Sequence, residues 1–462
     1  MIEINYWRNH KMKKLLALIL VLAMAVSAFA CGPADKPTPA DPGTSAPDAS
    51  TPDEPASAPD PEVVDEGGTV VVWCWDPAFN LFAMEHAARI YKEVNPAFEI
   101  DIVEVPWDQI QDELTVAATT GDFNTLPDIF LMQDMAFQRN VMTFPELFTD
   151  LTGSGIDFGQ FAAGKVGYSI IDGRNFGVPF DNGATIAALR TDILAEAGFT
   201  IGDFTDVTWD TFIENGKVVL AQTGMPMIST TAGGGDYITF MLQSAGVDLF
   251  LADGTPNIVN NATLIKAIEV YLELVNTGVL LEVAGWDEYI NSFVDNEVAG
   301  TISGCWILGS VQLNVETAGD WAVTNIPRLD VAGGTNFSNW GGSSWAVTSA
   351  SSNPDLAIDF LANTFAGSVE LYETILPASG AIGTWAPAAA STVYAEPHPF
   401  FAGQAVFADI VGFAGKVPSI NVGVYFYTAN DNIAIAVSNI LDGADIHAEL
   451  QAAQEATEFA IS

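Results

Sequence analysis

Residues 175–199, NFGVPFDNGATIAALRTDILAEAGF, leave the chain few ways to fold. Phe176–Gly177–Val178–Pro179–Phe180 cannot be helix interior: Pro179 has no amide hydrogen and pushes Val178 towards extended geometry. Asp181–Asn182–Gly183 then interrupts the run with turn chemistry. A second apolar run occupies residues 184–189, and Arg190–Thr191–Asp192 opens a helix that Gly198 closes. Strand, polar break, strand and helix in that order is how a chain passes from one lobe into another. Asp181 and Asn182 fall at the passage, where a ligand held between lobes could reach them.

The segments on either side supply the lobes. Residues 69–73, TVVVW, read as a buried parallel strand. Helical spacing predicts helices over 82–94 and 108–119, with strands at 98–105 and 127–132. Strands alternating with helices argue for an α/β lobe, whose ligands bind beyond the carboxyl ends of the strands. Trp75, Asp76, Gln133 and Asp134 hold that position. After the passage, helices are predicted over 209–220, 262–276 and 286–294, and a strand over 298–303 ends at Gly304–Cys305–Trp306. Gly233–Gly234–Gly235 reads as a flexible loop and not a phosphate loop, since no Lys-Ser or Lys-Thr follows it.

The chain returns to the first lobe through Trp340–Gly341–Gly342–Ser343–Ser344–Trp345, where the glycine pair permits close approach of a ligand or a hinge. A helix over 354–365, a second return near 389–399, and helices over 429–441 and 445–461 complete it. The expected fold is α/β with two lobes, each a mostly parallel sheet flanked by helices. The first lobe comprises 68–182 plus 340–390, the second 183–339 plus 391–462. Three crossings let such lobes open and shut about a hinge.

Three motifs carry a family resemblance: Gly177–Val178–Pro179–Phe180–Asp181, Leu189 to Gly198, and Thr208–Trp209–Asp210–Thr211–Phe212. In that order they resemble the extracellular solute-binding proteins of sugar-type ABC importers, the maltose-binding-like family 1 group. Arg190 departs from the Tyr-Asn pair usual there. Phe293, Glu297, Gly304 and Trp306 also stand in register with the family pattern, and the likeness runs from about Thr69 to the C-terminus. It implies a type II periplasmic-binding-protein-like fold and capture of a neutral mono- or oligosaccharide in a cleft between lobes. It also implies delivery to an ABC permease, and that Trp306 stacks on a sugar ring.

The residues themselves suit that chemistry. An indole face fits the C–H face of a pyranose, while Asp, Asn and Gln bond its hydroxyls. Trp75, Trp306 and Trp340 sit at breaks and are assigned to the cleft with Asp76, Gln133, Asp134, Asp181, Asn182, Gly341 and Gly342. Trp345, inside an apolar run, divides evenly between cleft and core, and Tyr425 and Tyr427 nearly so; Trp73 reads as core. Few Arg or Lys adjoin this set, which disfavours phosphate, sulfate or carboxylate ligands.

Catalysis is not indicated. His10, His86, His398 and His447 are scattered, and neither H-E-x-x-H nor G-x-S-x-G occurs. No metal and no cofactor is expected. A secreted glycan-active hydrolase and a surface receptor or adhesin are the alternatives, because carboxylates are plentiful without any spacing that singles out a pair. Cys74 and Cys305 are expected as free thiols, since a bond between them would staple the cleft.

The N-terminus reads as an address. Met12–Lys13–Lys14, an apolar stretch to Ala30, and Ala30–Cys31–Gly32 predict a signal peptide over 1–30, with Met12 as the true start, and a lipobox with acylation at Cys31. Residues 31–67, rich in Pro, Ala, Asp, Ser and Thr, are expected to form an extended tether. The protein is therefore expected on the outer face of the cell membrane, held by lipid only, as a monomer. With 15 Lys and Arg against 58 Asp and Glu, or −46 once 1–30 are removed, nucleic acid is excluded as a partner.

Overall fold

The computed structural model describes residues 68–461, apart from Ala252, Ser419, Asn421 and Val422. The expected signal peptide, the expected acylation site Cys31 and the expected tether lie outside the described residues.

Twelve strands are present among the described residues. The first six are β1 (Thr69–Cys74), β2 (Glu99–Glu104), β3 (Ile129–Gln133), β4 (Ile170–Ile171), β5 (Arg174–Asn175) and β6 (Val178–Pro179). They are followed by β7 (Thr185–Arg190), β8 (Ile228–Thr231), β9 (Leu280–Val283), β10 (Gly300–Gly304), β11 (Trp321–Thr324) and β12 (Ser343–Val347).

One lobe is built on a five-stranded sheet in the order β2-β1-β3-β12-β6. The helix Phe82–Val94 connects β1 to β2 and buries Ala83, Met84, Ala87, Ala88 and Tyr91, the face its apolar spacing predicts. The helix Trp107–Thr120 connects β2 to β3 and stops at Gly121, which takes the left-handed conformation (φ 72°). These crossover helices make β1 parallel to both its neighbours. β12 alone departs from the expected parallel arrangement: it pairs antiparallel with both β3 and β6, so β6 runs in the same direction as β1, β2 and β3. The cause is topological, since β12 re-enters from the second lobe without a crossover helix.

The second lobe holds the sheet β10-β7-β11, antiparallel throughout, and the parallel pair β8–β9. The expectation of a mostly parallel sheet therefore fails for this three-stranded sheet, whereas four of the five strands of the first sheet run in one direction. All six residues of β7 are buried, because neighbouring strands cover both edges and packed side chains both faces. Helices Trp209–Thr223, Gly235–Ser244, Ala262–Asn276 and Phe426–Leu441 enclose a core that includes Phe212, Phe240, Tyr271 and Ile433. Of the triple-glycine segment, Gly233 and Gly234 form the connecting turn the sequence suggests, both at positive φ. Gly235 begins a helix, and the Tyr271 ring packs so close to Gly234 that a Cβ there would lie 2.2 Å from it.

Between the lobes three stretches run side by side. Ala184 bridges Asn339, and Asp181 bridges Gly383. Trp340 N donates to Gly183 O at 2.7 Å, and Asn182 N to Ile382 O at 3.0 Å. Gly183 is required: a Cβ on it would stand 2.3 Å from the Trp340 carbonyl oxygen.

Candidate functional site

A cavity of about 440 Å3 opens beside the crossing. Its polar lining comes from Asp134, Gln138, Lys165, Tyr168, Asp181, Asn182, Gln243 and Asn339. Asp134 and Gln138 belong to the helix Asp134–Thr143 that follows β3 directly, which puts their side chains at the carboxyl end of the parallel strands. Val417, Pro418 and Ile420 close another side.

Charge is concentrated in three buried groups. Lys165, Asp134 and Asp181 are 7 %, 2 % and 1 % exposed. Lys165 Nζ pairs with Asp134 Oδ2, while Ser344 Oγ donates to Asp134 Oδ1 at 3.0 Å. Asp181 Oδ1 accepts from Ser343 N at 2.8 Å and from Ser343 Oγ at 2.5 Å. Burial pushes the Asp134 carboxyl up to about 6, against the opposing pull of Lys165 and Ser344. Asp181 is raised by the same desolvation, with Lys165 and Ser343 pulling the other way. Gly342 (φ 94°) lets the backbone pass beneath this cluster, since a Cβ would lie 2.7 Å from Asp134 Oδ2 and 3.0 Å from Lys165 Nζ.

The uncharged part of the lining is oriented by the backbone. Ala184 N donates to Asn182 Oδ1 at 3.1 Å, and Asn339 N to Gln243 Oε1 at 3.1 Å. Each carboxamide oxygen is thus engaged, which leaves the NH2 groups of Asn182 and Gln243 as donors. Asn339 is turned the opposite way, with Nδ2 donating to Gly341 O at 3.0 Å and the oxygen left to accept.

Four of the twelve residues picked from the sequence line this cavity: Asp134, Asp181, Asn182 and Gly341, with Gly342 directly behind. The aromatic residues form clusters outside that lining. Trp75 packs edge-on against Trp107 (centroids 5.5 Å apart), and Trp107 lies 6.5 Å from Tyr427. Tyr427 donates its hydroxyl to Gln133 Oε1. Trp306 donates Nε1 to Trp340 O at 3.0 Å and packs 5.6 Å from Trp286, while the Trp340 indole lies near Asp236. Asp76 caps the turn after β1, accepting from Ala78 N at 2.9 Å. Tyr425 precedes the helix Phe426–Leu441 and packs partly against the second core. Trp345 is fully buried in β12 between Phe180 and Phe365, so its ring serves the core and not the cavity.

Lys165, Gln138, Gln243 and Asn339 were not picked from the sequence. Lys165 is the one cation among the described lining residues, and its charge is spent on Asp134. Cys74 and Cys305 are both free and buried.

The fold and this cavity define a two-lobe binding protein of the periplasmic type. Residues 86–401 match the family described as bacterial extracellular solute-binding protein. The chain is 37% identical over 388 residues to the lactose-binding protein of Rhizobium radiobacter, covering 84% of this chain and 92% of that one. It is 24% identical to the arabinooligosaccharide-binding protein of Halalkalibacterium halodurans, over 85% and 89% of the two chains. Among solved structures, the ABC transporter-associated binding protein from B. animalis subsp. lactis in complex with beta-1,6-galactobiose superposes with a TM-score of 0.72. That likeness is at 19% identity and covers 84% of this chain and 96% of that one. The protein belongs to the bacterial extracellular solute-binding family, and is a binder and not an enzyme.

Proposed function

We propose that the protein captures a neutral mono- or oligosaccharide in the cavity at the lobe crossing and hands it to the permease of an ABC importer. The observation that carries this reading is the lining itself: hydroxyl-matching carboxamides of Asn182, Gln243 and Asn339 beside buried carboxylates, in a space that suits a small sugar. The lactose-binding relative supports a galactoside as the first ligand to test. The lobes would comprise 68–182 plus 340–390 and 183–339 plus 391–462. Trp75, Trp306 and Trp340 would offer stacking faces as the lobes close, with Asp76, Gln133 and Tyr425 at the rim.

Contacts with both lobes would favour the closed state, shifting a hinge equilibrium that exists without ligand. Turning a mostly open population into a mostly closed one needs about 5 kcal/mol of differential affinity. Several hydroxyl bonds and one or two stacked rings supply an amount of that order. Acylation at Cys31 would keep the protein, a monomer, on the outer membrane face next to its permease.

A thermal-shift screen with lactose, galactose, maltose and arabinooligosaccharides tests the reading, followed by calorimetric titration. A neutral sugar should raise Tm and saturate without turnover. Asp181→Ala and Trp306→Ala should each weaken that stabilisation; full retention in both would place the ligand elsewhere.

A further inference from the structure

We infer that Asp134 masks Lys165, so that the one ammonium lining the cavity is withheld from ligands and acidic sugars are rejected. The inference rests on the sugar-binding reading above and assigns its charge selectivity to named residues. Among the described lining residues Lys165 is the sole cation, and Asp134 and Asp181 are the sole anions.

Each of the three is more than nine-tenths buried, so their interactions are weakly screened. The ammonium is committed to Asp134 Oδ2, and the second carboxylate, Asp181, faces the same space from the crossing strand. Its position is fixed by two bonds from Ser343, and that of Asp134 by Ser344, so neither can swing aside for an incoming anion. A uronate entering would meet a cation already neutralised and a carboxylate of its own sign. A neutral polyol meets acceptors in the carboxylates and in Asn339, and donors in Asn182 and Gln243. The backbone under Gly342 keeps the ion pair in place, because any side chain there would collide with both partners.

The mask can be removed one charge at a time. Affinities for galactose, lactose and galacturonate are measured by calorimetry on the wild-type protein and on Asp134→Asn, Asp181→Asn and Lys165→Met, with circular dichroism and Tm recorded for each. In the wild type, galactose should bind at least ~10-fold more tightly than galacturonate, the ratio that about 1.4 kcal/mol of repulsion produces. Asp134→Asn frees the ammonium and should narrow that ratio ~10-fold or more. Asp181→Asn leaves the ion pair intact and should narrow it as well, which keeps the test decisive if Asp134→Asn does not fold. Lys165→Met should leave galacturonate rejected.

Equal wild-type affinity for galactose and galacturonate overturns the inference while leaving sugar binding intact. An unchanged ratio in a folded Asp134→Asn or Asp181→Asn protein does the same. Failure of every neutral sugar to bind the wild type overturns the sugar reading first, and the inference with it.

Discussion

Tyr427 donates its hydroxyl to the Oε1 of Gln133, joining the start of the helix Phe426–Leu441 to the last residue of β3. The first packs on the core around Phe240 and Ile433, the other ends the five-stranded sheet, so this bond ties the two together, and under the proposed closure it would tighten. Tyr427→Phe removes one hydrogen bond worth about 1 kcal/mol and keeps the ring against Trp107. Ligand affinity should fall several-fold, chiefly through faster release. Small-angle scattering without ligand should show a larger mean radius than the wild type; identical radii and affinities would deny the bond any part in closure.

The pair Trp340–Asp236 makes stability depend on pH. Burial pushes the Asp236 carboxyl up to about 6, with the nearby Trp340 indole pulling the other way, and the Asp134 carboxyl is likewise pushed up to about 6. Both are raised above the unfolded carboxyl range near 4, so the native state binds more protons between those values. Their contribution is fully present below about pH 4 and is lost as pH rises through about 6. Tm should therefore be higher at pH 5 than at pH 7.5, each group contributing on the order of 1–3 kcal/mol. General charge repulsion works in the same direction, so the separating measurement is Asp236→Asn, which should flatten the Tm–pH slope between pH 5 and 7.

Gly183→Ala puts a methyl group 2.3 Å from the Trp340 carbonyl oxygen, with backbone and no flexible side chain to yield. The two crossing strands must separate or the protein must unfold. A loss of about 2–4 kcal/mol, read as a lower urea midpoint, is expected. A Tm equal to that of the wild type would show that the crossing tolerates a wider spacing.

Cys74 and Cys305 are free, and burial pushes both thiols well above their usual range. Neither should react with a thiol reagent at pH 8 in the folded protein, and both should react once denaturant is added. Rapid labelling of Cys305 in the native state would mean that the crossing, where its Sγ donates to Asn182 O, opens spontaneously.

Elements with strong periodicity and clear punctuation were legible before the structure. Residues 82–94 and 262–276 end where the sequence says they should, because Asn95 and Gly278 stop a well-marked amphipathic run, and 286–294 keeps its expected bounds. Strand direction was not legible: antiparallel β12 and parallel β3 are both short apolar runs, and only the route of the connecting chain separates them. Trp345 shows the limit for single residues. All five residues of β12 are buried, so the indole in that run belongs to the core, a fact carried by neighbours far away in sequence. Lys165 sits in a short helical segment without periodicity, and Gln243 looks like any polar residue near a helix end. Their meeting at the cavity depends on tertiary placement alone.

The position of β12 also has a consequence for how the chain is made. β3 and β6 leave the ribosome early, yet the strand that lies between them is Ser343–Val347, translated only after residues 183–339. Until then the apolar edge Ile129–Gln133 stands open, a template for pairing with another nascent chain. Neither residues 68–182 nor residues 183–339 can complete this sheet alone, so premature termination before Val347 yields a sticky product and never a functional half.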